Sequence, residues 1–420
     1  MDGGQFDKTM TPRLGAAHER RTMNRGVIIV SAIVTTLGLS AAFFWIAGLP
    51  LRSVPAPTSG MVGAISDTAK DTLRDEFFAK TGQRVVPFQI LYPASARGRA
   101  VPYVPNAEPV IAALKRNQGQ LGVALARIGT ITAPWSASAR PRTDGPFPVV
   151  IYLPGVTGYM QMSSFQTAAL AADGFVVVTL NQPGSVAAVR LSDGGLINGM
   201  SRDESVQLIA PSYRNSPLSP ALAAKLAPEK SIVPYLAADV PLVIDRLSVI
   251  NADPNHPLYG LLDLQKIGVM GVSLGAIVAA QACQSYDRVK ACLMLDAPAP
   301  TDVANRGLWK PALWLSRPAA DQRAERDASG GWPEYEIAAQ ADSIALAVAN
   351  SREARVIQLG GLFHVDFTDV PTIQPFVGWL GMAGPVGTAK AHREVASLTV
   401  GFFRKMKKSS QLNGNLSARY

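Results

Sequence analysis

Ser273 stands in Gly271-Val272-Ser273-Leu274-Gly275, a G-x-S-x-G pattern between the apolar run Ile267 to Met270 and an alanine-rich stretch. Read physically, that is a short strand, a tight turn and a helix. A serine on such a turn has its hydroxyl pushed clear of the backbone, and glycine on either side lets strand and helix approach closely. The helix that starts there aims free N–H groups and the positive end of its dipole at charge developing beside the serine. Nucleophilic attack on an acyl carbon suits that placement, and it requires a base and an acid.

The chain has four histidines. His18 precedes a long apolar run, His256 lies in a loop before the serine's strand, and His392 falls within the last helical stretch, where packing is its expected role. His364 follows the last strand-like segment in Gly360-Gly361-Leu362-Phe363-His364, a glycine-led loop. It is the expected base, in the chain order serine, acid, histidine. Asp296 ends the apolar run Ala291 to Leu295, one strand after the serine, and is the expected acid; Asp321, after the next strand, is its rival. Asp366 and Asp369 stand too near His364 for that part. The N–H of Leu274 and one from Pro154-Gly155-Val156-Thr157-Gly158, with Val156 preferred over Gly155, would form the oxyanion hole.

The elements that must position these residues are legible as continuous apolar strands separated by helices. Strands are expected over Arg84 to Tyr92, Pro148 to Leu153, Phe175 to Leu180, Val289 to Leu295, Ala312 to Leu315 and Arg355 to Leu359. Helices are expected over Ser164 to Ala172, Leu236 to Ile250, Glu334 to Ala349 and Thr388 to Met406. Unbroken apolar strands mean a mainly parallel sheet covered by helices on both faces; together with the serine elbow and the order serine, acid, histidine, an α/β-hydrolase fold is the expectation. Gln182 to Val233 breaks the rhythm with polar, Pro- and Gly-rich sequence and reads as an insertion over the sheet, a lid or substrate wall.

At the other end of the chain, residues 1–25 are polar, and Gly26 to Leu51 contains no charged residue. That run can cross a hydrocarbon core of about 30 Å as a helix. Basic residues before it place the tail in the cytoplasm, and everything after Arg52 in the periplasm or outside the cell. Export with cleavage is the alternative. Residues 52–66 read as a tether, 67–408 as the hydrolase domain and 409–420 as a flexible tail. The net charge is +9, of which the first 25 residues carry +2 and Arg404 to Tyr420 carry +5. So little charge on the long middle excludes a nucleic-acid partner. Cys283 and Cys292 read as buried thiols, with a disulfide open to an exported chain. No Cys/His cluster of zinc spacing and no G-x-G-x-x-G before a helix occurs, so neither metal nor dinucleotide cofactor is expected.

Gln89 to Ala94 (QILYPA), Pro102-Tyr103, KIGVMGVSLGA, LMLDAP and FHVDFTD, in that order, together resemble the platelet-activating factor acetylhydrolase family of α/β-hydrolases, in its plasma and type II branch. The similarity runs from about Phe88 to Phe403. It implies a calcium-independent serine esterase with Ser273 as nucleophile, Asp296 as acid and His364 as base, and it favours Asp296 over Asp321. Val272 and Ala276 stand where that family usually has His and Gly, and Pro154 replaces part of a His-Gly pair, so substrate preference does not carry over. The expectation is a membrane-tethered hydrolase of lipophilic or short-chain acyl esters. A non-catalytic envelope scaffold keeping the fold and an acyltransferase using the same triad are the alternatives.

Overall fold

The computed structural model describes residues 51–79, 82–214 and 232–417. The expected cytoplasmic tail, nearly all of the apolar run 26–51, and residues 215–231 of the insertion lie outside them. Among the described residues, no helix is long and apolar enough to cross a membrane.

Thirteen strands are described: β1 (Met61–Asp75), β2 (Gln83–Ala96), β3 (Arg99–Pro102), β4 (Thr132–Ala137), β5 (Arg140–Pro141), β6 (Phe147–Leu153), β7 (Val176–Leu180), β8 (Ala188–Arg190), β9 (Leu196–Asn198), β10 (Leu262–Val272), β11 (Val289–Leu295), β12 (Ala312–Ser316) and β13 (Ala354–Gln358). Eleven of them form one sheet in the order β13-β12-β11-β10-β6-β7-β2-β1-β4-β3, with β5 on β2. From β13 to β7 every pairing is parallel, whereas β2 runs antiparallel to both β7 and β1. The sheet is therefore mixed, its parallel half being the part the apolar runs foretold.

Burial on both faces explains those runs. Along β6, Val149, Ile151 and Leu153 enter one apolar cluster, while Val150 and Tyr152 enter the cluster on the opposite face. Every residue of β6, β7 and β12 is buried, so no solvent face exists to impose a polar alternation.

Two boundaries and one bond differ from expectation. β1 begins at Met61, inside the tether read over 52–66, and its register with β2 runs from Met61↔Ala94 to Asp75↔Gln83. The last helix, Thr388–Ser417, continues through much of the segment read as a flexible tail, and no proline interrupts it. Cys283 and Cys292 are joined in a disulfide, with Cα atoms 6.1 Å apart, rather than left as thiols. That bond ties the end of the helix Leu274–Ser285 to β11.

Candidate active site

β10 ends at Val272, the helix Leu274–Ser285 begins two residues later, and Ser273 makes the turn between them at φ 56°, ψ −125°. A non-glycine residue in that region costs about 1–3 kcal/mol and persists only where its surroundings fix it. Here the fixing is visible. The Ser273 N–H donates to the Leu295 carbonyl at 3.0 Å, and a Cβ on Gly271 would lie 2.1 Å from the Gly275 oxygen. A Cβ on Gly275 would lie 2.0 Å from the Leu153 oxygen. Both obstacles are backbone atoms and cannot rotate away. Gly275→Ala is therefore expected to cost about 3 kcal/mol of stability and to displace the turn enough to lower turnover by about 100-fold. Thermal melting and ester hydrolysis of that variant check both numbers; wild-type values in each would contradict the account.

β6 lies beside β10 with Leu153 opposite Gly271, which brings the loop after β6 against the serine. A Cβ on Gly155 would sit 3.1 Å from Ser273 Cβ and 3.8 Å from Oγ. Val156 follows, and both it and Leu274 line the same cavity as Ser273. Leu274 is the first residue of its helix, so its N–H has no acceptor one turn back. The two expected oxyanion donors thus belong to the two chain segments that flank the nucleophile.

Asp296 follows β11, itself at positive φ (49°), with its N–H bonded to the Leu315 carbonyl at 2.8 Å. Its Oδ2 lies 2.6 Å from His364 Nδ1. The same oxygen accepts from Arg317 Nε at 2.7 Å, while Oδ1 accepts from Gln340 Nε2 at 3.2 Å. Burial works against the carboxylate's charge, but Arg317, followed by His364 and Gln340, outweighs it and holds Asp296 at about 2. An ionised Asp296 can only accept, so Nδ1 carries the proton and Nε2 keeps a free lone pair, the tautomer a general base requires. No hydrogen bond joins Ser273 Oγ to the His364 ring among the described residues; serine hydrolases without substrate commonly leave that link long.

The rival acid is elsewhere employed. Asp321 accepts from the Gly361 N–H at 2.8 Å and so pins the loop that delivers His364. Asp366 accepts from Phe363 and Gly384 N–H groups, and Asp369 from Ser164, Phe165 and Tyr103. His392 is buried, stacked on Phe165 at 3.8 Å, and pushed down to about 4 by burial, as suits a packing residue. His256 accepts from the Leu258 N–H in its own loop.

Ser273, Leu274, Val156 and Asp296 line a cavity of about 80 Å³, walled by Val206, Ile209, Tyr213, Ile277 and Trp332. Val206 and Ile209 come from the helix Arg202–Ile209, started by a Ser201–Glu204 capping box within the 182–233 insertion. The insertion thus supplies a wall of the cavity. A roomier cleft of about 760 Å³ contains Lys266, Lys290, Arg355 and Lys405 but no serine or histidine among its lining residues. The candidate residues line the smaller one. Sequence reasoning missed Arg317, Gln340 and Trp332; Arg317 directly follows an apolar strand, the same signal that pointed to Asp296.

No family model matches the chain, and no curated protein matches it. Among solved structures, it is similar to a ferulic acid esterase from Streptomyces cinnamoneus, with TM-score 0.63 and 23% identity over 84% of this chain and 92% of that one. It also matches a dienelactone hydrolase-like promiscuous phosphotriesterase from metagenomic libraries, with TM-score 0.39 and 12% identity over 82% of this chain and 98% of that one. The first likeness establishes an α/β-hydrolase fold for this chain.

Proposed function

We propose that the chain is a serine carboxylic-ester hydrolase. The observation that carries this reading is the strained Ser273 elbow opening into the same cavity as Asp296, whose carboxylate holds the His364 ring at 2.6 Å. His364 Nε2 takes the Ser273 proton as Oγ attacks the ester carbonyl, and Leu274 and Val156 N–H groups bind the oxyanion. Asp296 stabilises the imidazolium, which then protonates the departing alcohol. Water, activated by the same histidine, releases the acid from the acyl-enzyme.

A small cavity with apolar walls favours a short or lipophilic acyl group. A phospholipid with a short sn-2 acyl chain fits the family resemblance, and a feruloyl ester fits the structural neighbour. The disulfide suits an oxidising compartment, which supports an extracytoplasmic hydrolase tethered through residues 26–51.

Treatment of the full chain with a fluorophosphonate probe, followed by peptide mapping, tests the reading. One adduct on Ser273, abolished in His364→Ala, is the expected result. A folded protein that takes up no probe would instead point to a scaffold that keeps the fold without the chemistry.

A further inference from the structure

Arg317 occupies a position that neither the proposed nucleophile, acid nor base accounts for. It is the first residue after β12, and because Leu295 pairs with Leu315, it emerges beside Asp296 at the catalytic edge of the sheet. Its side chain is fully buried. Nε donates to Asp296 Oδ2 at 2.7 Å, and Nη1 donates to Glu325 Oε2 at 2.5 Å. Glu325 Oε1 in turn accepts from the His364 backbone N–H at 3.1 Å, and the His364 ring returns to Asp296 Oδ2. The bonds close a ring: guanidinium, Asp296, imidazole, His364 backbone, Glu325, guanidinium. One cation therefore grips the base at both its ring and its main chain, each time through a carboxylate.

A buried ion pair is weak evidence for stability alone, since its desolvation offsets most of its attraction. What sets this one apart is the shared oxygen. The Asp296 atom that orients His364 is the atom that bonds Arg317, so the guanidinium's charge acts directly on the bond that makes His364 a base. We propose that Arg317 is a positioning residue that fixes the His364 ring and moderates the pull of Asp296 on its proton. The inference rests on the serine-hydrolase reading above.

Moderation matters because the imidazolium must form and then surrender its proton to the leaving alcohol. An unscreened buried carboxylate favours the charged ring and holds that proton. With Arg317 in place, part of the carboxylate's field is neutralised, and less of it holds the proton. Other ionisable groups face the same region: Glu325 and Asp321 from the helix Ala319–Ser329, Glu336 from the helix Glu334–Ala349, and Asp366 two residues along the chain. Burial raises Asp366 to about 6, so it titrates in the window of interest in the wild type and contributes there. Arg317 lowers and Glu325 raises Asp366 as well, so the limb is compared among chains that all carry Asp366→Asn, which removes this second titration.

The test is the pH profile of kcat/KM for p-nitrophenyl acetate in the full chain. Arg317→Met is expected to move the acid limb upward by about one pH unit, because the ring then meets both carboxylates unscreened. Arg317→Lys keeps the charge but loses the fork, so its limb should return to within about 0.3 of the Asp366→Asn parent while kcat falls several-fold. Glu325→Gln removes a negative charge and should move the limb downward. Opposite signs in Met and Gln variants are not produced by a merely structural contact. An unchanged limb in Arg317→Met, or one displaced equally in Arg317→Lys, overturns the inference. If Arg317→Met fails to fold, the Lys and Gln variants decide it. Failure of the hydrolase reading looks different: the wild-type chain itself would neither turn over ester nor take up fluorophosphonate.

Discussion

Ser273→Ala is expected to lower kcat for an activated ester by about 10⁴- to 10⁶-fold and to leave the melting temperature nearly unchanged. The activity loss follows from removing the only atom that forms the acyl-enzyme; what survives is binding and oxyanion stabilisation of attack by water. The unchanged stability follows from the local structure. Ser273 makes no side-chain capping bond to its helix, and its positive φ costs alanine no more than it costs serine. His364→Ala should lose a comparable amount, and the double variant little more, because the two act as one unit. Initial rates on p-nitrophenyl acetate beside circular-dichroism melts are sufficient. Retention of more than a few per cent of activity in Ser273→Ala would remove Ser273 from the mechanism.

The parallel half of the sheet was legible in the sequence because its signals are local and strong. Ser164–Ala172, Val289–Leu295 and Glu334–Ala349 have the bounds that their periodicity indicates. Ser273, Asp296 and His364 each sit where an apolar strand meets a turn or a glycine-led loop. β1 was not legible: MVGAISDTAKDTLRD has no clean alternation, and its strand character comes from the long pairing with β2. The choice between Asp296 and Asp321 was likewise undecided by the residues alone, since both follow strands at the same edge. The structure brings Asp296, not Asp321, to the His364 ring, and that depends on packing. Arg317 illustrates the same limit: it follows an apolar strand as Asp296 does, but nothing in its spacing marks it as a countercharge until its partners are in place. The disulfide depends on a 6.1 Å Cα separation that no count of intervening residues could supply.

Asp239→Asn should produce the largest loss of stability, about 3–5 kcal/mol, seen as a fall in melting temperature of roughly 5–10 °C. Asp239 opens the helix Asp239–Ala252 and is completely buried. Its Oδ2 accepts from Arg84 Nη2 at 2.6 Å and Gln182 Nε2 at 2.8 Å, and its Oδ1 from Arg84 Nε at 3.1 Å and Arg74 Nη2 at 2.7 Å. Arg84, also fully buried, otherwise has Glu76 and the Pro183 carbonyl as partners. Both guanidinium groups lie over the Tyr235 ring, at 5.0 and 5.2 Å. The amide keeps the shape but removes the charge, leaving two cations to share Glu76 and the half-buried Asp71. Aspartate at this point does what an apolar core cannot: it joins the β1–β2 hairpin to the residues on both sides of the insertion that walls the active-site cavity. Fluorophosphonate uptake by Asp239→Asn below its melting temperature should therefore remain, while the melt moves down. A melt displaced by less than 1 °C would mean that the second carboxylate, Glu76, already neutralises Arg84, and that the hairpin is held by its apolar face alone.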